Sequence, residues 1–345
     1  MISAPTSPTR RTIALFGAYG HTAHFVVREL RKRGFNPILS GRDAAKLKAV
    51  AAPLESETRV ASVNDPASLD RALAGAGAVI NCAGPFIDTA APVIEAALRE
   101  GIHYLDIAAE QAAVLATFER YREAAIDAGI VILPAMGFYG GLADLLATAA
   151  MGNWIAADEI SVAVALDSWW PTSGTRLTGK RNPGLRFAFS NNKLERSEPP
   201  PPRTWNFPEP FGKQNVVSLS LAETITISRH LRTPEIRAYM NPAPLSDLRD
   251  PNTPPPTPAD ESGRSAQIFV VEVVVRRENE ERRAIARGRD IYAVTAPIVS
   301  EAVERILDGR CKAASGTVAP GQIFDAKNFL EALSPEHLSL KWLKA

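Results

Sequence analysis

Cysteine is nearly absent from this chain. Cys82 and Cys311 are the only two in 345 residues, too few for a disulfide framework and too far apart for a CxxC redox pair. That usage fits a reducing compartment, and the cytoplasm is the expected location. An excess of charge of either sign is missing too. Lys plus Arg number 39 against 38 Asp plus Glu, so the net charge of +1 leaves no electrostatic footprint for nucleic acid or anionic lipid. Small molecules are the expected partners. Long apolar runs are also lacking, because the longest uncharged stretch, AGIVILPAMGFYGGLA at 128–143, is shorter than the ~20 residues of a spanning helix and carries Pro134 and four glycines. No membrane span is expected. The leader MISAPTSPTRR has no apolar core region, so residues 1–11 read as a disordered terminus and not as a secretory signal.

What the chain does contain is alternation. From 12 to 135 the short apolar runs TIALF, NPILS, TRVASV, AVINCA, HYLDIA and IVIL are separated by helical patterns at 20–33, 43–52, 66–74, 86–100 and 110–128. Continuous apolar strands need cover on both faces, and right-handed crossovers then give a doubly wound parallel sheet, a Rossmann domain. At this length a second domain is expected. Residues 136–290 show longer alternating strands (DEISVAVALDSW, SLAETITISR, QIFVVEVVVRR, ERRAIARGRDIYAV), with helices near 141–151 and 233–240. They predict an α+β substrate and dimerisation domain with a mostly antiparallel or mixed sheet. Residues 291–345, with a helix at 295–308, are expected to return to the first domain and bring Tyr292 near the cleft. A homodimer is expected.

The turn GAYGHTA follows strand TIALF and opens a helix whose apolar stripe is Ala23, Val26, Val27 and Leu30. Gly17 permits the tight turn, Gly20 lets backbone approach a pyrophosphate, and Ala23 still allows close helix packing. The amides of Tyr19, Gly20, His21 and Thr22 would meet the phosphates, with the Thr22 hydroxyl as a further donor. An NAD site usually ends its second strand with an acid; here Ser40 and Gly41 hold that place and Arg42 follows. A guanidinium there matches a 2′-phosphate and argues for NADP; the alternative is a solvated residue beside the cap Asp43. Asn64 and Asp65, after the third strand, would lie near the adenine.

Beyond the fourth strand, Cys82, Ala83 and Gly84 are small enough to admit a nicotinamide. Cys82 is either a proton donor or an apolar filler. Tyr104 and Asp106 share one face of the fifth strand and are the candidate orienter and acid, unless Asp106 caps the next helix. His103 reads as structural. His21 and His24 have a spacing two metal ligands can use, but no third ligand cluster accompanies them, so no metal is expected. The Tyr-x-x-x-Lys pair of short-chain dehydrogenases and a G-x-S-x-G elbow are both absent.

Together GAYGHTAHFVVREL, SGRDAAKL, INCAGPF and GIHYLDIAAEQ resemble the NADP-binding domain of saccharopine dehydrogenase-like oxidoreductases, most closely the trans-acting enoyl reductase branch. The resemblance implies a nicotinamide enzyme in which 80–86 line the nicotinamide ribose. PAMGFYGGLADLLA resembles the family's loop after the sixth strand, but Tyr139, Gly140 and Gly141 stand where saccharopine reductases have Asp-Pro-Gly, which sets the substrate apart. Two proline-rich stretches, 198–212 and 241–258, read as surface loops. Trp205, Phe207 and Phe211 either fold over the nicotinamide as a lid or pack on the domain or a partner. Arg176, Lys180 and Arg181, beside Trp169 and Trp170, are either solvated or hold a carboxylate, a phosphate or a phosphopantetheine. The function expected is hydride transfer between NADP and a C=C, C=N or C=O group; the alternative is an NADP-binding redox sensor without turnover.

Overall fold

A computed structural model describes residues 11–181, 186–196 and 198–344. The expected leader lies, apart from Arg11, outside the described residues.

The first part of the chain runs β1 (Thr12–Phe16), α1 (His21–Lys32), β2 (Asn36–Gly41), α2 (Ala44–Ala51), β3 (Thr58–Val60), α3 (Pro66–Leu73), β4 (Ala78–Asn81), α4 (Phe86–Glu100), β5 (His103–Asp106), α5 (Gln111–Arg120), α6 (Arg122–Asp127) and β6 (Val131–Leu133). All six strands are parallel, and their spatial order β6-β5-β4-β1-β2-β3 reverses direction beside β1. That reversal is the place where ligands bind in such sheets.

A π-helical turn at Phe138–Leu142 leads into α7 (Ala143–Met151) and β7 (Glu159–Leu166). There follow α8 (Ser173–Arg181), β8 (Phe187–Ser190), β9 (Lys193–Arg196), β10 (Arg203–Asn206), β11 (Lys213–Ser218), α9 (Ala222–Ser228), β12 (Ile236–Met240), α10 (Ala243–Arg249), β13 (Ile268–Arg277) and β14 (Glu280–Arg289). The chain ends with α11 (Thr295–Leu307), β15 (Gly316–Thr317), α12 (Pro320–Ile323), α13 (Ala326–Ala332) and β16 (Leu338–Lys344). The second sheet is mixed, in the order β10-β11-β12-β7-β13-β14-β16, with β12 parallel to β7 and β13 antiparallel to it.

One face of that sheet (Ile160, Val162, Val164, Phe269, Val271, Val273) packs on α7 and is continuous with the core around Leu15, Leu39 and Leu105 of the first. Its opposite face carries Ala163, Ala165, Val270 and Val274 under Trp205, Phe207 and Tyr239. No helix among the described residues is long and apolar enough to cross a membrane.

Several expectations need correction. SLAETITISR supplies the helix α9 where a strand was expected: residues 222–227 are buried all round, so alternation carries no information, and Thr226 and Ser228 turn their hydroxyls onto the carbonyls of Glu223 and Ile225. The helix expected at 233–240 is the strand β12, held between β7 and β11. The basic loop at 173–181 is helical, as is Ala243–Arg249 in the second proline-rich stretch, whose Pro244 falls in the first turn where its missing N–H costs nothing. The first proline-rich stretch holds the edge strand β10. The tail is not only helical: β15 joins β6 in the first sheet and β16 pairs antiparallel with β14 in the second.

Candidate active site

The turn between β1 and α1 is built against two neighbours. Gly17 adopts φ +82, and a Cβ on it would come within 2.7 Å of the Ala83 nitrogen. Glycine is required there on both counts. The Gly17 and Ala18 amides donate to the Ser40 carbonyl at 2.8 and 3.0 Å, tying the turn to the end of β2. Tyr19 lays its ring so close on Gly41 that a Cβ there would meet it at 2.7 Å, and Lys46 stands 5.7 Å over the ring. No side chain caps α1 at Gly20, whereas Asp43 caps α2 and Asp65 caps α3. On α4 the Phe86 and Ile87 amides are taken by the Glu110 carboxylate at 2.9 and 3.0 Å. The first-turn donors of α1 are thus left for an anion that the chain does not supply. The Ser40 hydroxyl, fully buried at the strand end, also lacks a partner among the described residues.

Beyond β4 a buried network fixes the segment 82–84. Asn81 donates to Thr89 and to the Tyr104 hydroxyl, both at 3.3 Å, and its Oδ1 accepts the Ala83 amide at 3.0 Å. Tyr104 donates to Asp106 Oδ2 at 2.8 Å; Asp106 Oδ1 accepts the amides of Ala108 and Ala135 at 3.0 and 2.7 Å. Tyr104 is 0 % and Asp106 1 % exposed, and the oxygens of both are already hydrogen-bonded inside the domain, which leaves none of them for a substrate. Desolvation pushes the Asp106 carboxyl up to about 6 against the pull of its amide donors. Desolvation and Asp106 also push the Cys82 thiol up, so it stays protonated at neutral pH.

The other wall comes from the second half of the chain. Ala135 sits at φ +58, unusual for a non-glycine residue, and Gly140 lies where a Cβ would come within 2.6 Å of the Ala135 Cβ. This strained segment brings Tyr139 to the ends of β5 and β6. Its ring stacks on Trp169 at 5.8 Å; Trp169 Nε1 donates to the Tyr292 hydroxyl at 3.0 Å, and the Tyr292 ring meets His21 edge-on at 5.4 Å. Asp290 places Tyr292 by accepting its amide and that of Ala293, each at 3.0 Å. On the near side α8 crosses 82–84: Thr178 hydrogen-bonds Glu110 at 3.2 Å and Arg181 pairs with Asp88 at 2.8 Å.

Residues 13–133 match the family described as the saccharopine dehydrogenase NADP binding domain. The first domain is similar to that family over nearly its whole length. A saccharopine dehydrogenase-like oxidoreductase of Homo sapiens is 31% identical over 152 residues, 39% of this chain and 35% of its own. A trans-acting enoyl reductase of Mycobacterium ulcerans is 29% identical over 133 residues, 36% of this chain and 32% of its own. The matched segment thus spans about a third of the length of these relatives. Saccharopine dehydrogenase (L-Glu forming) from Saccharomyces cerevisiae superposes on 96% of this chain and 100% of its own with a TM-score of 0.66, at 13% identity, a likeness of fold across both sheets.

Within the saccharopine dehydrogenase-like domain the structure gathers Gly17, Tyr19, Gly20, His21, Thr22, Ser40, Gly41, Cys82, Ala83 and Gly84 around the carboxyl ends of β1, β2 and β4, with Arg42 exposed beside them. Asn64 and Asp65 stand apart on the outer side of β2, and Asp65 is committed to the Ser68 amide at 3.2 Å. Asp106 and Tyr104 are corrected from acid and orienter to holding groups, since their hydrogen bonds are all used inside the domain. His24 is exposed, and no group of three metal-ligating residues occurs among the described ones. The lid formed by Trp205 is excluded as well, because its indole donates to the buried Glu272 at 2.8 Å on the face of the second sheet turned away from the first domain. Glu223 and Asp290 escaped the sequence reading; Glu110, in the polar cluster at 103–110, and Asn81, within 80–86, were in view without the bonds they make. For Glu110 a signal existed, an acid close behind the end of a strand; for Asn81 only the strand-end position marks it.

Proposed function

We propose that the protein is an NADP-dependent oxidoreductase that moves a hydride between nicotinamide and a C=C, C=N or C=O group of a small molecule held between Cys82–Gly84 and the Tyr139–Trp169–Tyr292 wall. The observation that carries this reading is the end of β2. Arg42 is exposed there and pairs with no carboxylate among the described residues, Lys46 lies close by over Tyr19, and the one nearby acid, Asp43, is occupied as a cap by the Lys46 amide at 3.0 Å. Lys46 also pairs with Asp43 at 3.6 Å, so Arg42 is the cation left over, and its guanidinium suits a 2′-phosphate better than two ribose hydroxyls. Gly17 and Gly41 let the turn close on Ala83 and Tyr19, and the donors of α1 suit the pyrophosphate of a dinucleotide. When bound, the reduced nicotinamide supplies the hydride. The chain's own part is to position the partners and exclude water: Asn81 fixes 82–84, and α8 and the aromatic wall enclose the space above them.

Calorimetric titration with NADPH and NADH tests this. Arg42→Ala is expected to weaken NADPH binding by roughly 10- to 100-fold, the scale of one lost charge-assisted contact, and to leave NADH unchanged. If the wild type binds neither nucleotide, the glycine turn is only a turn and the oxidoreductase reading goes with it.

A further inference from the structure

Two buried polar atoms beside the aromatic wall have no partner among the described residues: the Tyr139 hydroxyl and Glu223 Oε2. Glu223 is 3 % exposed, on the first turn of α9, and only its Oε1 is used, accepting the Leu221 amide at 2.7 Å. α9 packs on the π-helical turn that carries Tyr139. A buried polar group without a partner is destabilising, so two together call for an explanation outside the chain's own hydrogen bonds. Both can donate: a phenol always, a carboxyl when protonated. Desolvation pushes Glu223 up to about 7 and Tyr139 well above its ordinary value, so the phenol holds its proton at neutral pH and the carboxyl holds its proton below it. The charged group opposing this is Arg186, which favours the Glu223 carboxylate; the Asp144–His230 pair lies beyond the other end of α9.

Resting on the hydride-transfer reading, we infer that Tyr139 and Glu223 are the two donors of an oxyanion site, which receives the carbonyl oxygen of a neutral, apolar ketone or unsaturated ketone. A hydride arriving at the carbonyl carbon, or at the β-carbon of an enone, drives the π electron pair onto that oxygen, and the two donors hold the charge. A proton from solvent or from Glu223 then completes the alcohol, or the saturated ketone after protonation at the α-carbon, and oxidised nicotinamide leaves. The walls agree, since Phe138, Trp169 and Tyr292 offer rings, and a phenol paired with a protonated buried carboxyl is a known way to bind an oxyanion.

The test has two arms on the full chain. The first needs no turnover: 4-nitrophenol, whose anion imitates an enolate, is titrated against the protein and followed by absorbance. Binding is expected to be about tenfold weaker in Tyr139→Phe, with NADPH affinity unchanged. The second follows NADPH oxidation with 2-cyclohexenone and with carboxylate-bearing ketones. The neutral compounds should be preferred, kcat should fall roughly 100-fold in Tyr139→Phe, and kcat/KM should decline as pH rises through about 7. Glu223→Gln keeps a donor but cannot titrate, so it should retain most activity and lose that decline. Equal nitrophenol binding by wild type and Tyr139→Phe, or a Glu223→Gln profile that still declines, overturns the inference. Nitrophenol binding that depends on Tyr139, with NADPH bound but no carbonyl reduced, supports the site and overturns the hydride reading instead.

Discussion

At the residue scale, Asp106 shows how a strand-end acid can shape the loops around a candidate site from inside the domain. Its carboxylate pins Ala108 and Ala135 and receives the Tyr104 hydroxyl, so one side chain sets the loop after β5, the loop after β6 and, through Tyr104 and Asn81, the segment at Ala83. Its proton is held more tightly in the fold than in an unfolded chain, where a carboxyl has its ordinary value near 4. Between about pH 4 and 6 the native state therefore binds the extra proton. Its contribution is fully present below that window, is lost as pH rises through about 6, and amounts to about 3 kcal/mol. Asp106→Asn cannot titrate. Denaturant unfolding at about pH 4 and pH 7 should show the wild type losing stability relative to the variant by that amount; parallel curves would remove Asp106 as the titrating group. Sequence placed Asp106 and Tyr104 on one strand face but could not show that the face was sealed, because burial there depends on α3 and α4.

At the element scale, the first domain was legible because parallel strands buried on both faces write themselves as unbroken apolar runs. The second was less so. α9 hid inside TITIS, whose β-branched alternation imitates a strand, and with it Glu223 stayed hidden; β15 is two residues long and exists only because β6 offers an open edge. The proline-rich 198–212 stretch read correctly as unable to enter a sheet centre, yet its aromatics went to the outer face of the second sheet. Trp205 is 6 % exposed there, between Tyr239 and Phe207, with its N–H on Glu272, which in turn pairs with Arg283 at 2.9 Å. Trp205→Ala should cost about 3–5 kcal/mol through the cavity and the stranded carboxylate, read by chemical denaturation, and should leave NADPH affinity as it was. A variant that kept its stability but lost nucleotide binding would restore the lid.

At the scale of the whole molecule, the two sheets are held in register by the last 55 residues. α11 packs on α1, β15 extends the first sheet and β16 closes an edge of the second, so the tail crosses from one sheet to the other and back. The clasp is ionic. Arg33, at the end of α1, donates to Glu29 and Glu304 at 2.7 Å and also bonds Glu301, which accepts Arg305 at 2.6 Å on the next turn. Arg33 and Glu301 are both largely buried, so solvent screens them weakly and removing one partner leaves carboxylates facing each other. Arg33→Ala is expected to destabilise by about 3 kcal/mol and to loosen α11 from α1. Because α11 also carries the approach to Tyr292, the cleft should open with it and the two halves should lose their cooperativity. In calorimetry the wild type should unfold in one transition, while the variant should show a van't Hoff enthalpy well below the calorimetric one. A single unbroken transition in Arg33→Ala would mean that the continuous apolar core joins the sheets unaided, and that the ionic clasp only sets how α11 lies on it.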